Sequence, residues 1–107
     1  MTKCRVILVS DNRLFLEGLS LMLESDNTTV VGKSNSGSEC IALLTSIDEQ
    51  PDMILWDSEP NPELDVALWD EIHREFPRIG IVVLAEQIDS ASVSRAMAVG
   101  VRGFLPK

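Results

Sequence analysis

The sequence predicts an α/β fold, a doubly wound three-layer sandwich around a five-stranded parallel sheet. Apolar runs of strand length alternate with amphipathic stretches of helix length along the whole 107-residue chain. The first run, RVILV at residues 5–9, has no polar alternation, which is typical of a strand covered on both faces. Regular βα alternation implies parallel strands joined by right-handed crossovers, with helices on both faces of the sheet.

The first half of the chain predicts two strand-helix units. After the first strand, Asp11 or Asn12 can cap a helix over residues 13–24. TTVV at residues 28–31 is β-branched and predicts the second strand, and a Ser/Gly/Asn turn leads into a second helix over residues 36–44. In the first helix we expect one apolar stripe to face the core, formed by Phe15, Leu19, Met22 and Leu23.

The third unit begins with the apolar run DMILW at residues 52–56, which predicts a buried strand. Asn61 and Pro62 form a favourable N-cap and first-turn pair for a helix that ends near Phe76, before Pro77. We expect one face of this helix to carry Leu64, Leu68 and Ile72.

The last unit predicts a strand at residues 79–84, IGIVVL, followed by a helix capped by Asp89 or Ser90 and closed by Gly100. A fifth strand is expected at residues 101–105. No helix follows it in the sequence, so we expect one domain over residues 1–107 that stops before its last helix. A sheet face near the first and fifth strands should then lack cover.

Composition limits the classes of function. A net charge of −8 and a pI near 4.4 argue against direct binding of nucleic acid, because phosphate backbones select basic surfaces. Cys4 and Cys40 have neither metal-ligand nor redox spacing and are interpreted as ordinary thiols. No apolar stretch approaches the roughly 20 residues that span a bilayer, so we expect a cytoplasmic protein without membrane contact.

Charged side chains follow several predicted strands, where open α/β sheets bind their ligands. Asp11 follows the first strand, Asp57 the third, and Lys107 the fifth. Mg²⁺ suits such carboxylates because it takes one or two of them, and a carboxylate can also form an aspartyl phosphate. Each residue has a simpler interpretation: Asp11 as an N-cap, Asp57 as a turn former and Lys107 as a solvated lysine.

These motifs resemble bacterial response-regulator receiver domains, in particular the LuxR/FixJ/NarL-type branch. RVILVSDNRLFLEGL is similar to the opening strand, acidic pair and first helix, PDMILWD to the phosphoacceptor strand, and GVRGFLPK to the fifth strand. The resemblance covers the whole chain and implies a flavodoxin-like sheet of order 2-1-3-4-5.

The resemblance also implies residue roles. Asp57 matches the phosphoacceptor, Asp11 the direct Mg²⁺ ligand, and the backbone carbonyl of Glu59 a further metal ligand. Lys107 matches the lysine that contacts the phosphoryl group, and Phe104 matches the aromatic switch.

The chain departs from the family pattern at two important positions. Ser10 replaces the first acid, and Ala85 replaces a Ser/Thr whose hydroxyl binds the phosphoryl group. Loss of a hydrogen bond to a charged group, about 1.5 to 3 kcal/mol, should weaken coupling at Ala85 by roughly ten- to a hundredfold. Loss of the acid at Ser10 should weaken Mg²⁺ binding. The prolines Pro60 and Pro62 also straddle the usual single proline position.

Three functions are compatible with these residues. The leading hypothesis is a receiver, not an enzyme, that accepts a phosphoryl group from a sensor histidine kinase with weakly held Mg²⁺. It would control homodimerisation or a C-terminal output domain that binds DNA, absent from this segment. The second is a degenerate pseudo-receiver that acts as a phosphorylation-independent interaction domain. The third is a haloacid dehalogenase-like phosphatase, suggested by Asp57 and Glu59.

Three other side chains are assigned by position alone. His73 lies one residue beyond the core position Ile72 and is predicted to be a surface residue. Trp56 is predicted to pack in the core. Trp69 fits either the core or a partner surface.

Overall fold

The computed structural model describes residues 3–58, 62–86 and 88–107, with residues 62–64 described by their backbone alone. Five parallel strands form one sheet of order β2-β1-β3-β4-β5, which confirms the predicted topology. The strands are β1 (Cys4–Val9), β2 (Thr28–Ser34), β3 (Met53–Asp57), β4 (Gly80–Ala85) and β5 (Gly103–Pro106). β3 therefore extends one residue further than predicted and ends on Asp57 itself.

Four helices alternate with the strands: α1 (Arg13–Leu23), α2 (Gly37–Ser46), α3 (Pro62–Glu75) and α4 (Ser90–Ala98). Asn12, not Asp11, caps α1, because its side chain accepts a hydrogen bond from the Phe15 N–H. Asp89 caps α4 in the same way. The predicted cap at Asn61 lies outside the described residues.

The alternating side chains of β1 divide the core into two clusters. Ile7 and Val9 belong to the larger cluster, together with residues of α2, α3 and α4. Val6 and Leu8 belong to a smaller cluster on the opposite face, where they pack with Leu16 of α1. Helices therefore cover both faces of β1, as the sequence predicted.

The apolar stripe of α1 was partly wrong. Met22 is 81% exposed, whereas Leu16 is the buried residue of this helix. Leu19 and Leu23 pack beside Leu16, as predicted. The misplacement follows from spacing, since Met22 lies on the solvent side of the core-facing row formed by Leu16, Leu19 and Leu23.

On the face of the sheet that packs against α1, the side chains near β5 are less buried than those of β1. Phe104 belongs to the larger cluster, so its neighbour Leu105 points to the α1 side, where it is 51% exposed. Leu84 of β4 is half-buried on the same side. The predicted lack of cover is therefore found at the fifth strand, but not at the first.

The aromatic side chains resolve one open question. Trp69 is fully buried and packs edge-on against Trp56, with ring centroids 6.0 Å apart. Trp69 is thus a core residue.

His73 is half-buried rather than a plain surface residue, because α3 places its ring against the backbone of Gly100. Two features favour glycine at the end of α4: Gly100 has a φ of 101°, and a Cβ there would clash with the His73 ring.

Within the part of the chain that the structure describes, no helix is long and apolar enough to cross a membrane.

Cys40 is completely buried in α2, and burial raises the pKa of its thiol to about 12. This thiol therefore stays protonated at neutral pH and behaves as a small apolar core residue. That agrees with its interpretation as an ordinary thiol.

Candidate functional site

Strand register brings the predicted site residues to one edge of the sheet. Val9 of β1 pairs with Trp56 of β3, so the next residues, Ser10 and Asp57, lie side by side. β5 lies on the far side of β4, with Ala85 paired to Pro106. The carboxyl ends of β1, β3, β4 and β5 thus meet at the crevice where parallel sheets usually bind ligands.

Asp57 is the central side chain of this edge. It is only 3% exposed, and both of its carboxylate oxygens have partners. The Ser10 hydroxyl donates to Oδ2 at 2.6 Å, and the Lys107 ammonium forms an ion pair with Oδ1. Because a buried carboxylate is costly without compensation, the hydrogen bond from Ser10 and the ion pair with Lys107 offset the burial of Asp57.

Lys107 is positioned by contacts with two other elements. Its backbone N–H donates to the carbonyl of Ala85 at 3.0 Å, which extends the β4–β5 pairing to the lysine. Its ammonium also lies 5.4 Å from the ring centroid of Phe15, at the start of α1, within the range of a cation–π interaction. The Lys107 side chain is therefore fixed over Asp57 rather than solvated.

Asp11 is exposed and lies with Asp57 in the lining of one open pocket of about 330 Å³. Ser36 and Gly37, at the start of α2, form the opposite wall. Gly37 is needed there, because a Cβ would come within 2.8 Å of the Trp56 ring and the Leu68 side chain. The pocket thus contains both predicted carboxylates, and Lys107 contacts one of them, Asp57.

Asp65 is a site residue that the sequence analysis missed. It lines the same pocket, and its Oδ2 accepts a hydrogen bond from the Ser58 hydroxyl at 3.0 Å. Burial raises the pKa of Asp65, and the nearby charges of Asp57 and Asp11 raise it further, against hydrogen bonds from Ser58 and Trp56 that lower it. The sequence did contain a signal for this position. Asp65 lies three residues before Leu68 and four before Trp69, and residues at these spacings share one face of a helix, here the core-facing side of α3.

The two predicted switch residues lie at the β4–β5 side of the site. Ala85 ends β4, is 7% exposed, and offers no side-chain hydroxyl. Phe104 pairs with Val83 and packs, partly buried, against the larger core cluster. Glu59 lies outside the described residues, as does Pro60.

The donor set is compatible with a weakly held Mg²⁺. Asp11 and Asp57 supply two hard carboxylates in one open pocket, which is the protein contribution that Mg²⁺ commonly takes beside its waters. However, the oxygens of Asp57 already have protein partners. Over residues 3–58, 62–86 and 88–107, no three His, Cys, Asp or Glu side chains are grouped closely enough to hold a metal.

Together, the fold and the site define a flavodoxin-like domain with a buried carboxylate clamped at the switch point of its sheet. The family model of the response regulator receiver domain matches residues 6–107, so the chain belongs to the response regulator receiver family. It is a receiver domain of a two-component response regulator.

Relatives of known sequence and structure support this assignment. The chain is 30% identical to the response regulator protein VraR of Staphylococcus aureus over 104 residues, covering 96% of this chain and 49% of VraR. The chain therefore spans about half the length of the curated relatives it matches. The isolated REC domain of RcsB from Salmonella enterica serovar Typhimurium, in the presence of phosphomimetic BeF3−, has a TM-score of 0.82 and 25% identity, covering 99% of this chain and 78% of that one.

A LuxR-family two-component response regulator from Aurantimonas sp. SI85-9A1 shares the fold, with a TM-score of 0.84 and 21% identity. The alignment covers 99% of this chain and 75% of that chain. The structural neighbours of this chain thus include receivers of LuxR-family regulators.

Proposed function

We propose that Asp57 accepts a phosphoryl group from a sensor histidine kinase. The resulting change would control dimerisation or a C-terminal output domain that regulates transcription. Receiver domains are signalling domains, and we propose that this one likewise promotes its own modification without turning over a substrate. We further propose that residues 1–107 belong to one receiver domain, that no DNA-binding domain lies within this segment, and that the protein acts in the cytoplasm.

The observation that carries the proposal is the buried Asp57 carboxylate with the Lys107 ammonium on Oδ1. An ammonium beside an attacking oxygen can offset the charge of incoming phosphoryl oxygens. The contact joins residues 50 positions apart in the sequence, and the hydrogen bond from Lys107 to Ala85 maintains it. A turn-forming aspartate or a solvated lysine would need neither burial nor this contact.

The chemical step is a nucleophilic displacement. A carboxylate oxygen of Asp57 forms a bond to phosphorus while the bond between phosphorus and the donor's leaving group breaks, and the leaving group departs with the electron pair. Mg²⁺, which Asp11, Asp57 and the Glu59 carbonyl would hold, would add to the charge neutralisation that Lys107 provides at the phosphoryl oxygens. Lys107 supports the same oxygens from the β5 side.

The relatives suggest how the signal would be used. RcsB of Salmonella enterica serovar Typhimurium has been solved bound to the promoter rprA in the presence of phosphomimetic BeF3−. Since this chain carries a net charge of −8, we propose that any DNA contact is made by an attached output domain.

Acetyl phosphate provides the direct test. Incubation with acetyl phosphate and Mg²⁺ should add the mass of one phosphoryl group, and Asp57→Asn should prevent it. Asp48→Asn is the matched control, because Asp48 is an exposed loop carboxylate. Absence of an adduct on the wild-type protein, or an adduct that survives in Asp57→Asn, would contradict the proposal.

A pseudo-receiver is the second candidate, and Ala85 favours it. This buried position provides no hydroxyl to bind a phosphoryl group, so the β4–β5 side of the site lacks one connection to Asp57. In this role the chain would bind partners irrespective of phosphorylation. Unchanged fluorescence of Trp56 and Trp69 on addition of millimolar Mg²⁺ and of acetyl phosphate would support it.

A further inference from the structure

Ser10 is a fixed hydrogen-bond donor to Asp57. It is 2% exposed, and its backbone N–H is bound to the Ser34 carbonyl at 3.0 Å. Its Oγ accepts a hydrogen bond from the Asn12 N–H at 3.1 Å and lies 2.6 Å from Asp57 Oδ2. An ionised carboxylate can only accept, so the single hydroxyl proton of Ser10 points at Oδ2.

This arrangement changes the charge balance at the acceptor. A carboxylate at position 10 would add a second negative charge beside Asp57 and require a cation between the two. The serine adds no charge and supplies a donor instead, while Lys107 supplies the positive charge on Oδ1. Asp57 is therefore compensated on both oxygens by groups of the chain itself.

We infer that Ser10 is a positioning residue that makes phosphoryl transfer to Asp57 largely independent of Mg²⁺. This inference rests on the proposed phosphoacceptor function. With Oδ2 held by Ser10, Oδ1 attacks the phosphorus of acetyl phosphate, a new P–O bond forms, and acetate leaves with the electrons of the broken P–O bond. Ser10 keeps its proton throughout, and Lys107 faces the incoming oxygens.

The test measures the rate of phosphorylation by acetyl phosphate in excess EDTA and in saturating Mg²⁺, for the wild-type protein, Ser10→Ala and Ser10→Asp. The wild-type rate should fall by less than about tenfold in EDTA. Ser10→Ala should lose about ten- to a hundredfold of the EDTA rate, the usual effect of removing a hydrogen bond to a charged group. Ser10→Asp should become strictly dependent on Mg²⁺.

Binding of Mg²⁺ gives a readout that does not depend on phosphorylation. In a titration followed by tryptophan fluorescence, Ser10→Asp should bind Mg²⁺ about tenfold more tightly than the wild-type protein, because it adds a carboxylate beside the ion. Trp56 precedes Asp57 and lines the same pocket, so its emission should report binding. Circular dichroism confirms that each variant is folded.

Ser34→Ala is the matched control, because Ser34 is a buried serine on the neighbouring strand, paired with Val9. It should retain the wild-type EDTA rate. A wild-type protein labelled in Mg²⁺ but not in EDTA, or an EDTA rate unaffected by Ser10→Ala, would overturn the inference and leave the proposed function intact. No labelling of any variant under either condition would overturn both.

Discussion

Two parts of the site differ in the number of polar contacts they make with Asp57. We call the part that contains Ser10 and Lys107 the acceptor side, and the part that contains Ala85 and Phe104 the coupling side. On the acceptor side, Ser10 and Lys107 engage both oxygens of a buried Asp57. On the coupling side, Ala85 has no polar side-chain group with which to reach Asp57, and Phe104 is only partly buried. Under the proposed function, capture of a phosphoryl group and its transmission would therefore depend on different side chains and could be altered separately.

Lys107→Ala should have the largest effect, because it leaves the Asp57 charge buried with one partner. Breaking such a pair typically costs about 3 to 5 kcal/mol, and we expect about 3 kcal/mol here, since the Lys107 side chain is 16% exposed. Phosphorylation should also slow by more than tenfold. Urea unfolding and acetyl phosphate labelling measure the two effects.

Two comparisons make the Lys107 prediction specific. Lys33→Ala removes the exposed pair with Glu17 and should cost less than about 1 kcal/mol. In an Asp57→Asn background, Lys107→Ala should cost far less than in the wild-type protein, because no buried charge is left unpaired. Equal losses in both backgrounds would show that the lysine contributes packing instead.

Ala85→Ser should have the second largest effect, because it places a hydroxyl on the coupling side. A hydrogen bond to a charged phosphoryl group is worth about 1.5 to 3 kcal/mol, so the switched population should rise by about tenfold or more after phosphorylation. NMR signals of the Phe104 ring before and after phosphorylation measure this population. Ala98→Ser, at an exposed position of α4, should change nothing.

The alternation of strand-length apolar runs with helix-length stretches was sufficient to predict a parallel α/β sheet, whereas the strand order was implied by the resemblance to receiver domains and is confirmed by the structure. The alternation was also sufficient to place Asp57, Asp11 and Lys107 at strand ends, since the carboxyl ends of parallel strands meet at one edge. The orientation of α1 was harder to predict, as the exposed Met22 shows. Leu16, Leu19 and Leu23 form a competing row, and spacing alone could not decide which row faced the sheet.

The contacts between individual side chains of the site could not be predicted from the sequence pattern. Ser10 was recognised as a departure from an acidic position, but its hydrogen bond to Asp57 depends on the rotamers and register of two strands. Asp65 was missed because only charged residues that follow a strand were considered, and Asp65 lies within the predicted third helix. Its position above Trp56 appears only when α3 packs against β3.

Asp65→Asn tests the acceptor side by removing a charge that burial makes unfavourable. The pKa of Asp65 is higher in the folded state than in the unfolded state, so folding favours its protonated form. As pH rises from the unfolded-state pKa through the folded-state pKa, ionisation of Asp65 therefore lowers the free energy of unfolding. Asn keeps an oxygen to accept from Ser58. The variant should therefore be more stable than wild type at neutral pH, by less than the Lys107→Ala loss.

Urea unfolding as a function of pH measures the Asp65 effect, and the advantage of the variant should disappear below about pH 4. Asp48→Asn, in an exposed loop, should follow the wild-type curve. A loss of stability at neutral pH would instead mean that the ionised Asp65 carboxylate organises the pocket.

Asp89→Asn should have the smallest effect, with a sign opposite to that of Asp65→Asn. Hydrogen bonds from the backbone N–H and hydroxyl of Ser92, with help from Arg95, lower the pKa of Asp89 below its ordinary 3.8. The ionised group therefore stabilises the fold above its unfolded pKa, and this contribution is lost as pH falls through the folded pKa. Asn keeps the cap but not the charge, so the variant should be slightly less stable at neutral pH and should converge on wild type in acid.

Hydrogen exchange of the Val93 amide, which donates to the Asp89 carbonyl in the first turn of α4, localises this effect. Protection should fall in Asp89→Asn at neutral pH and match the wild-type value in acid. Because Asp65 and Asp89 respond to pH in opposite directions, the Asp65→Asn/Asp89→Asn double variant should show a pH profile close to the sum of the two. A single shared direction would contradict the opposite pKa shifts of these two carboxyl groups.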